Sequence, residues 1–246
     1  MTRYVIAADG GNSKTDLVLA TTGGRIVSRV RGRGTHPHVD GMDSMAADLA
    51  ALARRSVAAA GLPDRTRVEA AAFHLANLDL PGEERAAAAA LRRSGVAEAV
   101  TAANDTIAVL RAGCPDGWGV AVVSGAGVNA MGRHPGGRVA RFLALGEITG
   151  DWGGGYRVGL AGLGAAMRAG DGRGAPTVLA QRIAAHFDRP SSEAVAVAVH
   201  RREITHSQLQ GLAPVVFGAA DDGDEVARSI VVRLADEVVT MATALL

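Results

Sequence analysis

The chain has 246 residues, of which 48% are hydrophobic, 21% charged and 3% aromatic, enough apolar material for one large core or two modest ones. Lys+Arg 26 against Asp+Glu 25 leaves a net charge of +1, which gives no basis for binding nucleic acid or an anionic membrane. Cys114 is the only cysteine, so an internal disulfide, a cysteine zinc site and single-chain iron–sulfur ligation are excluded. Asp9, Lys14 and Asp16 interrupt any signal-peptide core, and no uncharged apolar run reaches the roughly eighteen residues of a membrane span, so a cytoplasmic protein is expected.

Residues 4–8 read as a buried strand, followed by a Gly10-Gly11-Asn12 turn, a strand over 17–20, a Gly23-Gly24 hairpin and a strand over 26–30. Met42, Met45, Ala46, Leu49, Leu52, Ala53 and Val57 recur at helical spacing, which predicts an amphipathic helix ending before Gly61. A strand over 68–75 comes next, then a helix capped by Asp79 with Pro81, Glu83 and Glu84 in its first turn. A strand over 99–102 leads into Asn104-Asp105 and a helix from Thr106. After the break at 113–117 the opening repeats: strand 118–123, turn 124–127, strand 128–131, hairpin 134–137 and strand 138–143, with helices thereafter. That repeat predicts a duplicated α/β architecture, with domains at 1–112 and 113–246 and a cleft between them.

Asp9-Gly10-Gly11-Asn12-Ser13-Lys14-Thr15 ends the first strand. Glycines let backbone N–H groups approach an anion, Ser13, Lys14 and Thr15 add donors, and a carboxylate placed at phosphates implies Mg²⁺ at Asp9. The segment equally suits a plain β-hairpin with a polar tip. It is not a Walker A loop, because residue 13 is serine and a strand follows instead of a helix. Ser124-Gly125-Ala126-Gly127 is the second-half counterpart. Its fit to the dinucleotide pattern lacks the helix that would hold a pyrophosphate, and two glycine turns suit a triphosphate better.

Asn104-Asp105 at a strand end either caps the next helix or supplies a carboxylate that orients a hydroxyl and takes its proton. Gly150-Asp151-Trp152-Gly153-Gly154-Gly155 places four glycines around one carboxylate. The backbone entropy this costs favours a ligand-contacting loop over an Asp cap with packing glycines. Thr35-His36-Pro37-His38 has no third ligand nearby and reads as a loop or substrate contact, not a metal site.

Taken in order, these motifs resemble the sugar kinase/Hsp70/actin superfamily, and within it the N-acetylglucosamine kinase family, also called the BadF/BadG/BcrA/BcrD ATPase family. The resemblance spans essentially the whole chain. It implies a duplicated ribonuclease-H-like (actin/hexokinase-type) two-domain fold, ATP and Mg²⁺ as cofactors, and phosphorylation of an amino sugar, foremost N-acetylglucosamine at its 6-hydroxyl. It also implies Asp105 as the base that takes the hydroxyl proton and Asp9 at Mg²⁺, through water. Gly10, Gly11, Asn12, Ser13, Lys14 and Thr15, with Gly125, Ala126 and Gly127, would lie at the ATP phosphates. Thr35, His36, Asp79, Asn104, Asp105, Gly150 and Asp151 would lie at the sugar, and a homodimer is left open.

Several residues depart from the family pattern. Ala126 and Val128 stand where the family usually has Thr and Ser, and His36 where it often has Asn, which keeps a catalytically impaired sugar-binding regulator as the alternative. An activator ATPase of a radical enzyme would need two cysteines per chain for a shared cluster, and Cys114 is alone. Nothing after Gly155 matches the family's adenosine loop, and the stripe Val226, Ile230, Leu234, Val238, Met241 and Leu245 stops at Leu246 without a cap. A second domain cut short of its adenosine-binding end is therefore expected.

Overall fold

Residues of alternating burial form the hairpin β1 (Tyr4–Gly10) and β2 (Lys14–Thr21), with β3 (Ile26–Arg33) alongside β2. In this computed structural model, which describes residues 2–246, Ile6, Ala8, Leu17 and Leu19 are buried on one face of that sheet. The short α1 (Pro37–Asp40) precedes α2 (Met42–Ala59), whose Met45, Leu49, Leu52 and Val57 cover the same face. β4 (Val68–Leu75), α3 (Pro81–Arg93), β5 (Ala99–Asn104) and α4 (Thr106–Gly113) follow. The sheet order is β3-β2-β1-β4-β5, with β1, β2 and β3 antiparallel and β4 and β5 parallel to β1. Phe73, Leu75, Leu78, Ala87 and Leu91 fill the layer beneath α3.

The start of α3 differs from expectation. Leu80, not Asp79, is the N-cap, and the Glu83 carboxylate reaches back to accept from the Asp79 and Leu80 amides, each at 2.9 Å. A carboxylate three residues into a helix satisfies these orphan donors as well as a cap residue would. The Asp79 side chain turns instead to Asn104.

The chain divides at Trp118/Gly119 into two compact units. α4 runs to Gly113 and the Gly117 amide bonds back to the Cys114 carbonyl, so this turn stays with the first unit. The second unit opens with the antiparallel sheet β6 (Gly119–Ser124), β7 (Val128–Arg133) and β8 (Val139–Arg141). A helical block follows: α5 (Gly154–Gly170), α6 (Leu179–His186), α7 (Ser192–His200), α8 (His206–Leu209), α9 (Ala213–Asp221) and α10 (Glu225–Ala244). Val158, Leu163 and Ala166 of α5 pack with Ile183, Val195, Leu209, Val216 and Ile230. Among the described residues no helix is long and apolar enough to cross a membrane.

Close approach to α5 depends on glycine. A Cβ at Gly159 would lie 2.1 Å from the Leu209 carbonyl oxygen, whereas one at Gly164 would meet nothing within 4 Å. Gly159→Ala should therefore destabilise the protein by about 1–3 kcal/mol through overpacking. Gly164→Ala should stabilise it by about 0.5–1 kcal/mol through helix propensity alone. Urea denaturation of the two variants reads this opposite sign.

Candidate functional site

Gly10, Leu75 and Asn104 lie in register across β1, β4 and β5, so three parallel strands end at one level. Ligands of open α/β sheets bind at such carboxyl ends. Gly10 leads into the turn to β2, where the Gly11 amide donates to the Lys14 carbonyl at 2.8 Å. The Gly34-Thr35-His36 segment packs backbone to backbone on that turn: the Thr35 amide donates to the Gly11 carbonyl at 3.0 Å. A Cβ at Gly34 would lie 2.0 Å from the Asn12 oxygen. Asn77, in the left-handed region at φ 63, ties the two together. Its Nδ2 donates to Asn12 Oδ1 at 2.6 Å and to the Thr35 carbonyl at 3.1 Å.

Asn77 carries no motif spacing. Its one trace in the sequence is an Asn just beyond a strand, a residue type that tolerates positive φ.

Asn104 and Asp105 differ in how their side chains are engaged. Asn104 is 1% exposed. Its Oδ1 accepts from the Thr106 amide and hydroxyl, and its Nδ2 donates to the Leu78 carbonyl and to Asp79 Oδ1 at 3.1 Å. The Asn104 amide group is thus engaged within the chain, where it holds Asp79 and the start of α4. Asp105 occupies the N-cap position of α4 without making a side-chain capping bond. Burial first, and the negative charge of Asp9 second, push its carboxyl above the usual carboxylate range. Asp9 is exposed and sits opposite His74 in the β1–β4 register. Burial pushes the His74 imidazole below its ordinary value, with Asp9 opposing.

Three further residues expected at ligands, Lys14, Thr15 and Thr35, make bonds within this unit. Thr15 is fully buried and its hydroxyl donates to the Arg33 carbonyl at 2.8 Å, because β2 begins at Lys14 and alternation turns Thr15 inward. Lys14 pairs with Asp16 at 2.8 Å, and the Arg31 and Lys14 bonds hold the Asp16 carboxyl down at about 2. Thr35 is buried with its hydroxyl on the Gly10 carbonyl at 3.3 Å. Gly11, Asn12, Ser13, His36 and Asp79 keep some exposure, and His36 borders a cavity of about 180 Å³ with Arg33, Asp48 and Arg55.

A single exposed carboxylate beside a glycine turn fits Mg²⁺, which keeps water ligands and takes others from phosphates. Among the described residues no group of three His, Cys, Asp or Glu side chains could hold a metal by itself. The repulsion between Asp9 and Asp105 would be relieved by a divalent cation at Asp9.

In the second unit, Gly125-Ala126-Gly127 forms the turn of the β6–β7 hairpin, with the Gly125 amide donating to the Gly127 carbonyl at 2.9 Å. The first amides of α5 are engaged by this turn: Gly155 N donates to the Gly125 carbonyl at 2.7 Å and Tyr156 N to the Ala126 carbonyl at 3.1 Å. A Cβ at Gly154, φ 72, would fall 2.4 Å from the Gly127 oxygen. Gly154 is therefore required by packing of loop on loop. Gly153, not Asp151, is the N-cap. Gly150, φ 79, closes the 3₁₀ turn Gly146–Thr149, and Asp151 Oδ2 accepts from the Gly146 amide and the Thr149 hydroxyl. Ala126, Gly127, Glu147, Asp151, Tyr156 and Arg157 line a pocket of about 150 Å³.

The strand order and the paired glycine hairpins define a mixed α/β protein of the actin-like sugar-kinase fold. The chain belongs to the BadF/BadG/BcrA/BcrD ATPase family, matched over residues 8–246, and is by class a kinase-like phosphotransferase. An N-acetylmuramic acid/N-acetylglucosamine kinase of Clostridium acetobutylicum is 27% identical over 235 residues, covering 96% of this chain and 76% of the relative. A Chromobacterium violaceum protein provisionally named N-acetylglucosamine kinase has a structure similar at a TM-score of 0.82 and 23% identity, over 99% of this chain and 83% of that one. A provisionally named counterpart from Porphyromonas gingivalis gives 0.76 and 22%, over 96% and 80%.

The raised Asp105 carboxyl has a consequence for stability. Folding favours its protonated form, so its contribution is most favourable below the ordinary carboxylate range and declines as pH rises through that range to the raised value. Asp105→Asn should raise Tm at neutral pH, and the gain should vanish in acid, where the wild-type carboxyl is already protonated. A Tm series against pH reads both.

Proposed function

We propose that the chain transfers the γ-phosphoryl group of ATP to a hydroxyl of an amino sugar. The sugar is N-acetylglucosamine at its 6-hydroxyl, or N-acetylmuramic acid, as the name of the Clostridium relative adds. The observation that carries this reading is Asp105: a carboxylate at the end of β5, raised by burial and by Asp9, and not engaged in capping its helix.

Phosphoryl transfer asks the protein chiefly for positioning and charge neutralisation. Asp105 accepts the proton of the sugar hydroxyl as that oxygen attacks the γ-phosphorus. The bond to the bridging oxygen breaks and ADP leaves with the electron pair. A base whose proton affinity is raised toward the working pH is better matched to this task than an ordinary carboxylate. Asn12 and Ser13 offer backbone amides to the phosphates, as do Ala126 and Gly127, while Gly10, Gly11 and Gly125 let the two turns approach them closely. Asp9 would hold Mg²⁺, and that ion would supply neutralisation of phosphate charge. His36, Asp79, Gly150 and Asp151 contact the sugar, while Thr15, Thr35, Asn77 and Asn104 hold the loops that present them.

The test is a coupled assay of ADP release with Mg-ATP and a panel of hexoses and amino sugars. Turnover with N-acetylglucosamine is expected, and Asp105→Ala should lower kcat by about 10²–10⁴-fold. Full activity in that variant would remove Asp105 from the reaction. Sugar binding by calorimetry with neither nucleotide binding nor turnover would assign the chain to the regulatory alternative.

A further inference from the structure

The second-unit pocket gathers residues that phosphoryl transfer uses, Ala126, Gly127 and Asp151, and one that it does not, Arg157. Arg157 lies in the first turn of α5, which carries no acidic residue and where the positive end of the helix dipole opposes a cation. Its Nε–H is buried without a partner, although buried donors are nearly always satisfied. Its Nη1 meets Glu147, whose side chain is 67% exposed, so the pair is weak and exchangeable. The packing of α5 does not require this arginine, since the helix buries Val158, Leu163 and Ala166 instead. A guanidinium in this setting suits a planar anion, which it binds through two parallel N–H bonds.

We propose that Arg157 is a specificity-determining residue that recognises a carboxylate on the amino sugar. The chain would then favour N-acetylmuramic acid, in which a lactyl ether at the 3-hydroxyl adds a carboxylate, over neutral N-acetylglucosamine. This rests on the amino-sugar kinase reading above. Glu147 holds the guanidinium when no sugar is bound, and the sugar's carboxylate displaces it. That exchange leaves the charge at Arg157 unchanged.

The experiment compares the full chain with Arg157→Gln, Arg157→Lys and Glu147→Gln, using N-acetylmuramic acid, N-acetylglucosamine and ATP as separate titrants in calorimetry and kinetics. Arg157→Gln should raise the ratio of the acidic-sugar to the neutral-sugar constant by about tenfold, the worth of a charged hydrogen bond. Arg157→Lys should keep part of the preference, and Glu147→Gln should tighten the acidic sugar by removing its competitor. An unchanged ratio in Arg157→Gln overturns the proposal, as does a weakened ATP constant with the sugar ratio intact, which would assign Arg157 to the nucleotide. If Arg157→Gln fails to fold, Glu147→Gln decides, and no gain for the acidic sugar counts against it. Acidic-sugar preference in binding without any turnover would spare Arg157 and overturn only the kinase reading. A wild-type chain that binds neither sugar overturns both.

Discussion

Gly10, Leu75 and Asn104 stand side by side in adjoining parallel strands, and at that level each strand hands over to a segment with a polar task. β1 gives way to the glycine turn, β4 to Ala76 and Asn77, and β5 to Asp105. The alignment is maintained by ladder bonds and by the Ala76 amide donating to the Gly10 carbonyl at 2.7 Å. A shift of one residue in any of these strands would exchange the two sheet faces. Asp9, His74 and Asp105 would then turn into the layer filled by Phe73, Leu78 and Leu91.

The acidic pair at this edge illustrates a tension common in active sites. Asp9 and Asp105 repel one another, and Asp105 is partly removed from water, an arrangement that costs stability. Asn104 offsets part of the strain by capping α4 in place of its neighbour and by steadying Asp79. Of these adjacent residues, one has its side chain fully engaged by the chain and the other makes no capping bond.

Long periodic segments were legible in the sequence because burial on one face leaves a repeating imprint. The strand over 68–75 and the helix from Met42 coincide with β4 and α2. The inward turn of Thr15 is not legible from its spacing, because the second strand begins three residues earlier than its apolar run, at Lys14, and pairs the threonine with Gly10. Asp79 lost its cap role to Glu83, a competition between two suitable carboxylates that spacing cannot rank. The glycines at 153–155 were visible as unusual, but composition does not say whether a ligand or a carbonyl such as that of Gly127 needs the room. Asn77 and the Arg157–Glu147 pair are products of tertiary placement and left no periodic trace.

The bonds from Gly155 and Tyr156 to the carbonyls of Gly125 and Ala126 make the hairpin turn act as the missing cap of α5. Such a cap is shared property. If either loop peptide rotated to point its carbonyl elsewhere, the helix would be left with an orphan donor at its buried end. Loop rearrangement and fraying of α5 are consequently one event with one free-energy cost. The conformations open to residues 125–127 are thereby limited to those that a helix of 17 residues and its packed neighbours can tolerate.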